Sequence, residues 1–92
     1  MADNEASSSF TVEQVAASGT VAQIAEFEAQ RRSIIITNRD GADPVYLGPT
    51  AALATTSGYQ LGAGEAITLD TKSAVWVLGS TAETIHVLKE YV

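Results

Sequence analysis

The chain contains no cysteine, so neither a disulfide nor a thiolate-held metal can staple it. Positive charge is also scarce: 5 Lys+Arg stand against 11 Asp+Glu in 92 residues, a formal net charge of −6. Neutralising a phosphate backbone takes clustered Lys and Arg, and docking on anionic lipid takes the same, so neither nucleic acid nor membrane is an expected partner. No apolar run approaches the roughly 18 residues that cross a bilayer, and residues 1–10 lack the basic-then-apolar pattern of a leader. Charged residues make up only 17% while hydrophobic ones reach 46%, which excludes a disordered acidic tail. What is left is one small domain. Surface scaling at this size buries about 63% of the unfolded chain's area, a workable but thin core. Extra stability then has to come from packing or from partner subunits.

The residues present favour strands. Thr, Val and Ile are frequent, their β-branched side chains suit a pleated surface, and seven glycines punctuate the chain at turn-like spacings. Residues 10–17 alternate Phe10 and Val12 with Thr11 and Glu13 before Ser18-Gly19, which predicts a hairpin returning through residues 20–27. That return segment places Val21, Ala25 and Phe27 on one face; its Ala, Glu and Gln also suit a short helix, and the strand is preferred. Further strands are predicted at 33–38, 45–47, 65–70, 74–78 and 83–91, with one short extended piece near Tyr59-Gln60-Leu61 inside a long Ala/Thr/Gly-rich loop. The expectation is an all-β fold: a single small antiparallel β-sandwich or barrel of about seven strands over residues 10–92. A flexible N-terminal arm at residues 1–9 precedes it.

Two-layer β domains keep one face wet, yet residues 34–36, 75–78 and 85–88 are apolar on both faces. So small a domain cannot bury both faces of three strands, and the excess predicts cover by another subunit. Ile34, Ile36, Val75, Trp76, Leu78, Ile85, Leu88 and Tyr91 are the residues expected to form the core and the oligomer or capsid interface.

Chemistry-bearing patterns are few. His86 is the single histidine, set between Ile85 and Val87, and no serine sits in a Gly-x-Ser-x-Gly turn. Asn38, Asp40 and Asp43 share a loop, but without the alternating acidic spacing and distal Glu of a calcium loop they read as turn formers. Gly62-Ala63-Gly64 lacks the Lys-Ser/Thr of a phosphate loop, and Glu65 and Asp70 cannot be set across a cleft. Tyr46, Tyr59, Trp76 and Tyr91 suit sugar stacking as well as core or interface roles. Arg31-Arg32, beside Glu26 and Glu28, reads as interfacial ion pairing or as a solvated pair. No catalytic residue, metal site or cofactor is predicted.

Four pieces carry a family resemblance: Arg32-Ser33-Ile34-Ile35-Ile36-Thr37-Asn38, Val45-Tyr46-Leu47-Gly48, Gly58-Tyr59-Gln60-Leu61 with Gly64-Glu65-Ala66-Ile67-Thr68-Leu69-Asp70, and Val75-Trp76-Val77-Leu78. In this order they resemble short structural proteins encoded in the head and neck regions of tailed bacteriophages. The likeness covers about two-thirds of the chain, from Arg32 to Tyr91, and leaves residues 10–27 outside it. It implies an all-β domain that assembles on virions, often as a homotrimer, as a capsid decoration (cement) protein or the base of a head fibre. The implied partners are the major capsid protein and further copies of the chain. The implied location is the outer capsid surface, after a stay in the host cytoplasm. The arm and the loop at 38–44 are the expected capsid contacts. The alternative is a receptor- or glycan-binding module of a phage tail or fibre, using Tyr46, Tyr59 or Trp76.

Overall fold

The computed structural model describes residues 9–40, 42–80 and 82–92. Its β-branched and aromatic segments form eight strands: β1 (Ser9–Ala17), β2 (Ala22–Ala25), β3 (Arg31–Asn38), β4 (Val45–Gly48), β5 (Tyr59–Leu61), β6 (Ala66–Leu69), β7 (Val75–Leu78) and β8 (Glu83–Tyr91). No helix forms among the described residues; of the return segment expected at 20–27, Ala22–Ala25 form a strand and residues 26–30 are loop and turn. Of the expected N-terminal arm, residues 1–8 lie outside the described residues, and Ser9 is the first residue of β1.

Two four-stranded antiparallel sheets result, ordered β1-β8-β3-β6 and β2-β7-β4-β5. Only β4 and β5 are both sequential and paired; every other connection crosses between the sheets. An eight-stranded double sheet of this order is a jelly roll, the sandwich solution to the fold class expected.

The predicted hairpin between the first two strands does not form. β1 pairs with β8 and β2 with β7, in different sheets. Ser18 is the corner that makes the crossing: its Oγ accepts from the Thr20 N–H at 3.3 Å, and its carbonyl accepts from the Gly79 N–H at 2.7 Å. The turn is thereby tied to the β7–β8 connection, which crosses alongside it. Gly79 is required at that corner, since a Cβ there would collide with Glu83 Oε1 and stand 3.1 Å from the Ala17 Cβ.

Between the sheets, Ile34, Ile36, Ile85 and Val87 meet Ile24, Ala25, Val45, Leu47, Leu61, Val75 and Val77, all buried. Each large aliphatic side chain so placed stabilises the fold by roughly 1.5–3 kcal/mol relative to exposure. In β2 a register shift between Gln23 and Ala25 turns both Ile24 and Ala25 inward. Phe27, expected on that face, is instead exposed. Leu53, from the loop joining β4 to β5, is buried against Gly48 and Gly58 outside this core.

Candidate interaction surfaces

Strand alternation divides the expected interface residues. Ile34, Ile36, Val75 and Ile85 point between the sheets and are covered by the chain itself, and Leu78 is also buried. Trp76, Leu88 and Tyr91 are half-buried and keep part of their surface exposed.

Strand pairing then brings together residues far apart in sequence. Val12 stands opposite Leu88, Leu88 opposite Ile35, and Ile35 opposite Thr68, so one row crosses all four strands of the first sheet. Its side chains share the face turned away from the core, because their strand neighbours Val87, Ile34 and Ile36 fill the inward one. Phe10 lies two residues beyond Val12 on that same face, opposite Glu90. Phe10 and Val12 are 63% and 61% exposed, which makes this the most open apolar stretch of the sheet. His86 belongs to the next row, between Gln14 and Thr37, a setting of neutral polar side chains rather than of a nucleophile and a carboxylate.

The other face of the same sheet is polar toward its open end. Lys89 Nζ pairs with Glu13 Oε1 at 3.1 Å, and the Tyr91 hydroxyl donates to Glu28 Oε1 at 3.0 Å. Beside them Arg31 is fully buried. Its Nε donates to the Thr71 carbonyl at 3.1 Å, Nη1 to the Glu26 carbonyl at 3.0 Å, and Nη2 to the Ser73 carbonyl. Lys72 Nζ returns a bond to the Arg31 carbonyl at 3.0 Å. Arg31 is therefore a clamp joining the β2–β3 and β6–β7 connections, and neither of the two surface roles expected for it holds. Its buried charge is matched by backbone acceptors, with Glu28 Oε1 3.7 Å away.

The acidic loop follows turn chemistry. Asn38 Oδ1 accepts from the Asp40 N–H at 3.0 Å, and Asp40 Oδ1 accepts from the Ala42 N–H at 2.9 Å. Buried Asn38 also donates through Nδ2 to the carbonyls of Asp43 at 2.9 Å and Leu61 at 3.1 Å, fastening the loop to β5. Carboxylate oxygens of Asp40, Asp43 and Glu83 come within 4.8 Å of one another. Glu83 already accepts from the Ser80 N–H and hydroxyl, both at 2.9 Å.

One groove opens between the two sheets where edge strands β5 and β6 part. It measures about 440 Å³ and is lined by Leu47, Ile67, Leu69, Val75 and Tyr59, with Thr71 and Ser73 at its polar end. Tyr59 is 60% exposed at this groove, whereas Tyr46 and Trp76 are half-buried.

The sequence marks Leu88, and Ile35 within the run at 34–36, as apolar residues in excess of the core, but it does not single out Phe10 and Val12. The alternation of Phe10 and Val12 was visible; which face they occupy depended on pairing with β8.

No protein-family model matches the chain, and no curated protein matches it. A solved structure described with Bacillus endospore appendages, which form a family of disulfide-linked pili, is similar to it in fold. The two share 17% identity and a TM-score of 0.57, over 91% of this chain and 86% of the other. At that identity the likeness extends to the fold alone.

Proposed function

We propose that this chain is a structural protein acting through protein–protein contact, and specifically a decoration protein on the outside of a tailed-phage head. The observation that carries the proposal is the apolar row Val12–Leu88–Ile35, with Phe10 beside it, on the outer face of a sheet. A contiguous apolar stripe turned to solvent on an acidic chain is the surface that a partner covers. The capsid as that partner rests on the sequence resemblance. The jelly roll, an architecture recurrent in capsid and lectin domains, is compatible with it by fold-level analogy. The pilus-related neighbour adds that such a sandwich occurs in assembled filaments. Those pili are disulfide-linked and this chain has no cysteine, so the assembly proposed for it does not rest on disulfides within this sequence.

The test is quantitative mass spectrometry of purified virions. A copy ratio to the major capsid protein within a few-fold of unity is expected; absence from the particle would overturn the reading. A second reading, glycan binding, is favoured by exposed Tyr59 at the groove. It stands second because the lining offers only the hydroxyls of Tyr59, Thr71 and Ser73 and no carboxylate or amide side chain to engage sugar hydroxyls. A glycan array with a Tyr59→Ala control distinguishes the two.

A further inference from the structure

Each sheet of a sandwich has two edges, and an unprotected edge recruits another strand. Three of the four edges here are poor templates: β5 has three residues, β6 four, and β2 four with a register shift. β1 differs. It runs nine residues in unbroken one-to-one register with β8, holds neither proline nor lysine, and has no strand beyond it among the described residues. From Ser9 to Gln14 it is exposed on both faces. Its one charge, Glu13, is paired to Lys89.

We propose that β1 pairs antiparallel with β1 of a second copy, about a two-fold axis through Thr11. Self-complementarity identifies the occupant. The outer face continues across such a junction only when residues of equal parity stand opposite, which leaves few registers. Centring on Glu13 opposes two like carboxylates and sets Phe10 against Ala16. Centring on Val12 sets Phe10 against Gln14. Centring on Thr11 places Phe10 of each copy against Val12 of the other, twice by symmetry. It also places Thr11 against Thr11 and Ser9 against Glu13. Aromatic–β-branched and Thr–Thr pairs are the stabilising cross-strand combinations, and no like charges meet. The two four-stranded sheets become one eight-stranded sheet, and Phe10 of the second copy extends the row Ile35–Leu88–Val12 across the junction. An isologous contact of this kind closes on itself as a dimer, unlike the three-fold assembly that the resemblance implies.

The absence of native cysteine gives a clean test. Thr11→Cys, Val12→Cys and Glu13→Cys are purified separately, oxidised in dilute solution and compared on non-reducing gels. Opposed residues on the axis have Cα atoms roughly 4.5–5.5 Å apart, within disulfide range. Val12 pairs only diagonally with its own copy, about 7–8 Å away. Thr11→Cys is therefore expected to cross-link fastest, to a dimer. Sedimentation of the unmodified chain should show dimers, and Val12→Lys should weaken them by about tenfold or more. Val12 is largely exposed, so that variant retains its fold. Faster cross-linking at residue 12 or 13 would overturn the proposal, as would a monomer or a trimer at tens of micromolar protein. A monomer in solution would leave the virion reading standing, because the copy ratio tests that independently.

Discussion

Replacing Arg31 with Met should destabilise this domain more than any surface change, and the structure sets the size of the effect. The guanidinium is fully buried and donates to three backbone carbonyls, those of Thr71, Glu26 and Ser73. Methionine fills much of the volume but donates nothing. Swapping a buried ion pair for apolar side chains is often neutral, because both charges leave together. That route is closed here, since the acceptors are main-chain carbonyls and remain after the substitution. Each carbonyl left dry costs about 1–3 kcal/mol, and water entering at the sandwich end recovers part of it. A net loss of about 3–5 kcal/mol follows. A domain of this length holds roughly 5–14 kcal/mol in total. The midpoint of thermal unfolding should accordingly fall by about 12–40 °C, at about 4–8 °C per kcal/mol.

Thermal and urea unfolding, followed by far-UV circular dichroism and by Trp76 fluorescence at one fixed protein concentration, provide the measurement. Fixing the concentration matters because self-association would itself shift the midpoint. Arg31→Lys keeps the charge but loses the planar fork, so it should fall between the parent and Arg31→Met. Arg32→Ala, at the half-buried neighbouring position, should lose less than about 1 kcal/mol. An Arg31→Met variant within about 1 kcal/mol of the parent would refute the clamp, because the named carbonyls would then have found other partners.

Asn38→Ala strands the carbonyls of Asp43 and Leu61 and frees the Asp40 N–H, and should cost about 2–4 kcal/mol by urea titration. Gly79→Ala drives a methyl into Glu83 Oε1 and toward Ala17, so a lower melting temperature of the purified variant, or loss of soluble protein, is expected. Ile36→Ala should cost about 2–5 kcal/mol in the same titration, whereas Ile35→Ala, next to it but facing outward, should cost far less and, on the proposed function, lower the copy number bound to virions.

The strands themselves were legible because their signal is local. Ile34-Ile35-Ile36, Val45-Tyr46-Leu47 and Val75-Trp76-Val77-Leu78 each carry β-branched or aromatic residues between turn formers, and each became a strand. Pairing was less legible. Ser18-Gly19 suits a two-residue hairpin and a sheet-crossing corner equally well, and the bond from Gly79 to the Ser18 carbonyl that selects the corner comes from 61 residues further along. Arg31 was misjudged for the same reason, its acceptors Thr71 and Ser73 lying 40 and 42 residues away. Composition assigns an arginine to the surface unless partners for its donors are known. Alternation correctly marked Leu88 as facing away from Ile85 and Val87. It could not show that Val12 and Ile35 would flank Leu88, since that row exists only once three strands are in register.

The distribution of polar and apolar groups on β1 and the end of β8 supports the proposal that this face works against a partner. Over most of the first sheet the inward face is aliphatic, as a sandwich requires. Toward Ser9 and Tyr91 the order inverts: Glu13, Lys89 and Tyr91 occupy the inward face with their hydrogen-bonding groups paired, and Phe10 and Val12 stand on the outward one. A strand whose role ended with closing its own core would place those side chains the other way. Nine residues of regular edge strand also cost backbone entropy that pairing with β8 alone repays poorly where neither face is covered. The cover proposed for the outer face, at the β1 edge or at both, would supply the missing stabilisation. The conformational cost of ordering residues 9–14 would then be offset within an assembly rather than within one chain.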